Sequence, residues 1–290
     1  MTTELTAPPL APRGAARAGR ETIYRHTVVV RITHWINVLV ISLLLMSGLN
    51  ILNAHPRLYW GQFGADFDKP WIEAPGLRRP DGQLEGVLRL GGRQFTTTGF
   101  LGVSKGADGA DLIQGVPSWA TLPSERNLAV ARRWHFFLAW LFVINGAVYL
   151  LIGLINGHFR RDVALTRADV RPGNICRNIL DHIFLRHPVG EEAKRYNVLQ
   201  KATYLIVIFA LLPAMVATGL TMSPGFDAVA PWLLNLFGGR QSARSIHFIC
   251  ANLIVLFVIV HVVEVLLAGV WNELRSMITG RYVIKTERGA

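Results

Sequence analysis

Residues Ser245–Val270 read SIHFICANLIVLFVIVHVVEVLLAGV, and Glu264 is the only formally charged side chain in the run. As a helix the run is about 39 Å long at 1.5 Å per residue, enough to cross a bilayer with some tilt. Two histidines, His247 and His261, stand fourteen residues apart in it. That separation is a rise of about 21 Å and just under four turns, so both imidazoles leave nearly the same face at two depths. Ionisable groups in lipid are costly and tend to be functional, and neutral imidazole is a strong metal ligand. One such histidine is more often a hydrogen-bonded packing residue. Two on one face, one towards each membrane surface, ask for partners at matching depths.

The remaining sequence supplies them. Of 290 residues, 51% are apolar and only 17% charged, low for a soluble domain. Three further apolar runs, Ile32–Leu52, Trp134–Ile155 and Ala202–Met222, are long enough to span a bilayer. The expected fold class is therefore an all-α integral membrane protein, a bundle of four transmembrane helices with a long outer loop between the first and second. The net charge of +11 could point to nucleic acid, but the basic residues are spread around the spans and form no recognition motif. Cys250 lies in the fourth span and Cys176 in a polar loop, an unlikely disulfide pair, and no C-x-x-C-H motif indicates covalently attached haem.

Taken in order, residues 1–20 read as a disordered cytoplasmic tail rich in Ala, Pro, Thr and Arg. The first apolar run is too long for the core of a signal peptide. The segment of about residues 53–124 is hydrophilic, with strand-like pieces Gly86–Leu90 and Gln94–Thr98 flanking a Gly91-Gly92 turn. Ser124 is placed to cap the lead-in to the second span, and Pro213 to kink the third. The membrane domain is expected over 21–283, with a short cytoplasmic tail at 284–290. Lys and Arg set the orientation. Five precede or open the first span (Arg13, Arg17, Arg20, Arg25, Arg31) and nine lie between Asn156 and Lys201, against two, Arg240 and Arg244, between the third and fourth spans. Both termini are thus expected in the cytoplasm.

With that topology His34 and His261 lie near the inner surface, and His135 and His247 near the outer. Helix bundles hold cofactors between facing helices in this way, and two bis-histidine b-type haems account for all four residues. A zinc site wants three or four ligands at one depth; proton-relay or structural roles remain open. Arg31, Arg132 and Arg244 each stand three residues before one of these histidines. One turn towards water, each guanidinium suits a haem propionate, the bland alternative being interfacial snorkelling. His26, His55, His158, His182 and His187 are expected to be solvated. The halves also echo each other: Ser47-Gly48-Leu49 matches Thr218-Gly219-Leu220, and Arg132-Arg133-Trp134-His135-Phe136 matches Arg244-Ser245-Ile246-His247-Phe248.

The residues R-I-T-H-W in the first span, R-R-W-H-F in the second and H-x13-H in the fourth resemble the four-helix di-haem cytochrome b family, the bacterial cytochrome b561 or nickel-hydrogenase type. That family includes membrane subunits of hydrogenases, formate dehydrogenases and thiosulfate reductases. Over residues 22–283 the resemblance implies haem b at His34/His261 and His135/His247, with quinone exchanged at the membrane. The long first loop is more similar to cytochromes that partner periplasmic molybdopterin oxidoreductases. The expected function is electron transfer between the quinone pool and a periplasmic redox subunit, in the inner membrane of a bacterium. A self-sufficient quinone-linked superoxide or ferric oxidoreductase is the alternative, and a haem-free anchor or transporter stands further off. Quinone chemistry also needs protons. Glu264, one turn from His261, is the expected carrier, with Asn37 offering a hydrogen bond to a quinone carbonyl and Lys201 assisting.

Overall fold

The computed structural model describes residues 19–106, 108–183 and 196–286. Four long apolar helices dominate it. Helix α1 (Val28–Ala54) and helix α2 (Leu128–Ile155) form an antiparallel hairpin. The third span, Val198–Thr221, is built from α4 (Val198–Ile206), a π-helical turn at Val207–Leu211 and α5 (Leu212–Thr221). The kink expected at Pro213 takes this form because a proline has no N–H to donate and its ring crowds the preceding turn. The fourth span belongs to α8 (Arg240–Thr279), interrupted at Gly269, where φ is 106°. Leucines and isoleucines such as Leu151, Ile155, Leu256, Ile259 and Leu266 face outward, as lipid contact requires.

The all-α expectation is corrected outside these helices. The chain between α1 and α2 is rich in strand, because alternating residues punctuated by glycine turns fit a pleated ribbon better than a helix. Strands β2 (Arg57–Leu58), β3 (Ile72–Glu73), β4 (Gly76–Arg78), β5 (Leu84–Leu90) and β6 (Arg93–Thr96) make one sheet, and β7 (Gly102–Lys105) pairs with β8 (Asp111–Gln114) in a second. The Gly91-Gly92 hairpin is as expected: Leu90 faces Arg93, and both glycines have positive φ, which a two-residue turn of the twisted type demands. Leu58, Tyr59, Val87 and Val103 form the core of this segment. The cap of α2 is Asn127, whose side chain accepts from the Val130 N–H, and not Ser124.

The segment sits on the ends of α1 and α8. Asn50 Nδ2 donates to the Pro123 and Glu125 carbonyls at 2.6 and 2.8 Å, and Asn53 exchanges two hydrogen bonds with the Val116 backbone. On α8, Ser245 Oγ receives Trp71 Nε1–H at 2.9 Å and Ser242 Oγ receives the Gly61 N–H at 2.7 Å. At the opposite end, β1 (Gly19–Tyr24) pairs antiparallel with β9 (Arg281–Thr286). The described fold therefore begins at 19, inside the expected tail 1–20. The carboxy-terminal stretch continues the helix to Thr279 and then returns as a strand, running past the expected boundary at 283. The remainder of both tails lies outside the described residues. Between α2 and α4, helix α3 (Pro172–Ile183) is strongly amphipathic, and two one-and-a-half-turn helices, α6 (Pro224–Val229) and α7 (Pro231–Leu236), link α5 to α8.

Candidate functional site

Four histidines on three helices meet in two pairs. His34 of α1 and His261 of α8 have ring centroids 6.3 Å apart, with planes at 84°. His135 of α2 and His247 of α8 are also 6.3 Å apart, at 64°. The first pair lies at the end that carries the β1–β9 ribbon and the second beneath the β-rich segment. The pairing and the two depths are those expected from helix arithmetic.

The spacing can be tested against a metal held between two imidazoles. Two metal–nitrogen bonds of about 2 Å and two ring-centre-to-nitrogen distances of about 1.2 Å sum to about 6.4 Å. Both pairs match this. Among the described residues no group of three or more His, Cys, Asp or Glu side chains is arranged to hold a metal ion. A pair of imidazoles with nothing further suits an iron whose remaining positions belong to a macrocycle.

The His135–His247 pair has a further level of order. His135 Nδ1 is 3.0 Å from Ser47 Oγ, and His247 Nδ1 is 3.0 Å from Thr218 Oγ1. Each hydroxyl donates back to its own helix, Ser47 to the Leu43 carbonyl at 2.8 Å and Thr218 to the Ala214 carbonyl at 2.6 Å. With its one proton so placed, each hydroxyl is an acceptor for the imidazole, the arrangement in which Nδ1 carries the hydrogen and Nε2 keeps its lone pair; the Leu44 and Met215 carbonyls face the same rings as further acceptors. Gly48 and Gly219 follow these hydroxyls, and a Cβ there would meet the histidine Cε1 at 3.3 and 3.5 Å. The echo between the two halves of the sequence is thus a repeated contact. Neither hydroxyl was singled out from the sequence as a site residue; the shared Ser/Thr-Gly-Leu was the signal.

At the other pair the neighbours are rings. Trp35 lies 5.3 Å from His34, and Phe257 stacks on His261 at 5.9 Å and 19°. Glu264 is within electrostatic reach of His261 and Tyr204. Asn37 Oδ1 accepts from the buried Asn145 Nδ2 at 2.8 Å, and the same amide donates to the Thr33 carbonyl at 2.9 Å. Lys201 Nζ is 3.0 Å from Asp169 and so is held on the α3 side of the chain. Glu273, not singled out from the sequence, also acts electrostatically on His261 and pairs with Arg25 at 3.8 Å. Arg25 in turn lies over the Tyr282 ring at 4.5 Å.

Arg31 Nη1 donates to the Ile278 carbonyl, while its Nε is buried with no hydrogen-bond partner among the described residues. Arg244 Nη2 donates to the His55 carbonyl at 2.6 Å. Arg132 lies exposed over the Phe136 ring at 5.6 Å. Among the described residues none of the three is in an ion pair with a carboxylate.

One expectation is overturned. His26 is not solvated but 9% exposed. Burial, and then the neighbouring Arg25 charge, push its pKa down to about 4. The reason is the β1–β9 ribbon, which folds the amino-terminal flank back over α1. His55 is half-buried against Tyr59, its Nε2 3.1 Å from the hydroxyl, and His158 pairs with Asp162 at 2.8 Å. The side chains of His182 and His187 lie outside those described.

Four helices apolar and long enough to span, with imidazoles paired at two depths, define a helical membrane protein. The chain belongs to the prokaryotic cytochrome b561 family, whose model matches residues 25–280. It is therefore an integral membrane cytochrome of electron transfer, with haem b as the cofactor the family implies. It is also similar to the putative protein-methionine-sulfoxide reductase subunit YedZ1 of Azospira oryzae, at 27% identity over 260 residues, 88% of this chain and 96% of that protein. No solved structure matches the chain.

Proposed function

We propose that the chain is a di-haem cytochrome b that carries electrons between quinone at the cytoplasmic side of a bacterial inner membrane and a redox subunit in the periplasm. The observation that carries this reading is the pair of 6.3 Å imidazole spacings at two depths. Haem bound at each supplies one-electron exchange between ferric and ferrous iron. His34 and His261 hold one group and His135 and His247 the other. Arg31, Arg132 and Arg244, none of them neutralised by a carboxylate among the described residues, serve the propionates.

The partner faces the β-rich segment. Its sheets rest on the ends of α1 and α8 above His135 and His247, and it displays exposed aromatic residues, among them Phe67, Phe100 and Trp119, the residue type that anchors docking sites. The relative named as a reductase subunit supports a partner that is itself an oxidoreductase, of the molybdopterin class served by the cytochromes that the long loop resembles. On the other side Glu264 carries protons for quinone beside His261. Asn37, its oxygen engaged by Asn145, keeps its N–H groups for a quinone carbonyl, and Lys201, held by Asp169, borders the pocket. The positively charged flanks and the shared position of both chain ends support cytoplasmic termini.

The test is vectorial. With the protein reconstituted in vesicles in one orientation, quinol must reduce b-type absorption bands. A soluble acceptor added on the side of the β-rich segment must then reoxidise them, while the same acceptor on the other side leaves them reduced. Reoxidation from both sides alike contradicts the reading.

A further inference from the structure

We infer that Ser47 and Thr218 are positioning residues that act through His135 and His247, fixing the tautomer, ring orientation and electron donation of the outer ligand pair only. The inference rests on the reading of these histidines as haem ligands, and extends it to residues that touch neither metal nor macrocycle.

Three independent observations converge on it. Both hydroxyl-bearing side chains are fully buried, where a polar group is costly unless paired. Both make the same two contacts, a hydrogen bond back to the carbonyl four residues earlier and a 3.0 Å approach to an imidazole Nδ1 on a neighbouring helix. Both are followed by a glycine whose missing Cβ leaves room at 3.3 to 3.5 Å from the histidine edge. Packing by itself would be met by alanine or valine at either position. A hydroxyl whose proton is already committed to the backbone is instead an acceptor aimed at Nδ1–H. Among the described residues no such hydroxyl contact is made by His34 or His261, whose rings lie beside Trp35 and Phe257.

The chemical consequence has a sign. A hydrogen bond from Nδ1–H increases the electron density that Nε2 can give a metal, which favours the ferric state. Removing the acceptor weakens that donation and favours the ferrous state. The device is present twice at one centre, so the two contributions act on the same iron.

The test uses the complete holoprotein with Ser47→Ala, Thr218→Val and the double substitution, read by potentiometric titration of the b bands and by low-temperature EPR. The outer component is identified as the one missing from a His247→Ala protein. Each single variant is expected to keep its haem content and to raise the potential of the outer component alone. The ferric-to-ferrous ratio at fixed potential should change about three- to tenfold, a tenfold change being about 59 mV for one electron. The EPR signal of that component should shift as its ring planes are freed, and the double variant should move further. Ser47→Thr and Thr218→Ser, which keep the acceptor, should restore the parent values. If a variant instead loses the outer haem, recovery in the hydroxyl-retaining variant supports the inference, and failure to recover overturns it. Unmoved potentials, or an equal shift in both components, also overturn it. In those cases a retained content of two haems leaves the ligand assignment standing; loss of haem assignment itself appears as a parent protein without two components.

Discussion

His135 and His247 lie under a folded β-rich cover, each held at Nδ1 by a buried hydroxyl. His34 and His261, at the same 6.3 Å spacing, are flanked by Trp35 and Phe257 and have the acids Glu264 and Glu273 within electrostatic reach. The same 6.3 Å imidazole spacing is thus set in two surroundings. One is hydrogen-bonded and covered; the other is aromatic and bordered by two carboxylic acids. An electron-only transfer to a docked protein gains from the first, because little reorganises around the ligands. Quinone exchange, which moves a proton with each electron, needs the second. On the function proposed above, the difference between the pairs divides the labour between two faces of one membrane protein.

The largest effects that would break this comparison come from removing ligands. His135→Ala or His247→Ala should eliminate one b-type component completely and leave the other unchanged in a redox titration, and His34→Ala or His261→Ala should do the reverse. Loss of both components from any single substitution would mean that the pairs are not separate sites.

Next in size is the cover. Excising residues 76–114 leaves Tyr59, Gly61 and Trp71 against α8, so haem content and quinol-driven reduction should persist. Turnover with a periplasmic partner should fall by about tenfold or more, because the exposed Phe95 and Phe100 go with the excised strands. Unchanged partner turnover would reduce the segment to a shield.

A comparable effect should separate the faces chemically. Glu264→Gln should keep both absorption components and slow quinol-driven reduction about ten- to a hundredfold. The pH dependence attributable to one group should disappear with it. A full rate in that variant would move the proton route elsewhere, Glu273 being the nearest described alternative.

The smallest concerns the ribbon over the His34–His261 end. His26 is neutral when folded, with a pKa near 4 against 6.5 when free. The unfolded chain therefore binds the extra proton between those values. The contribution is fully present above 6.5 and is lost as pH falls towards 4, about 2 kcal/mol after allowance for partial exposure. Thermal unfolding of His26→Gln in detergent should lose that part of the pH dependence.

Much of this architecture could be read from the sequence, because a span is a matter of length and apolarity, and a helix converts spacing into depth. Fourteen residues between His247 and His261 gave two depths, and the Lys and Arg distribution, with His34 and His135 near the starts of their spans, gave the ends to which these belong. What could not be read depends on contacts between distant segments. The pairing of β1 with β9 joins residues more than 250 apart, and only that pairing buries His26. Ser47 reaches His135 through the register of α1 against α2, to which the Ser-Gly-Leu echo points without saying which atom it touches. The docking of Trp71 and Tyr59 on Ser245 needs the folded sheet. Lys201 looked available beside the membrane until Asp169 was brought to it by the turn of the loop.

The central claim is that one chain holds two haems, one at each histidine pair. Its most direct test is haem b per polypeptide, measured as the pyridine haemochrome against quantitative amino-acid analysis of the purified membrane protein. The account predicts about two in the parent chain and about one in His247→Ala. A value of one in both proteins would contradict it.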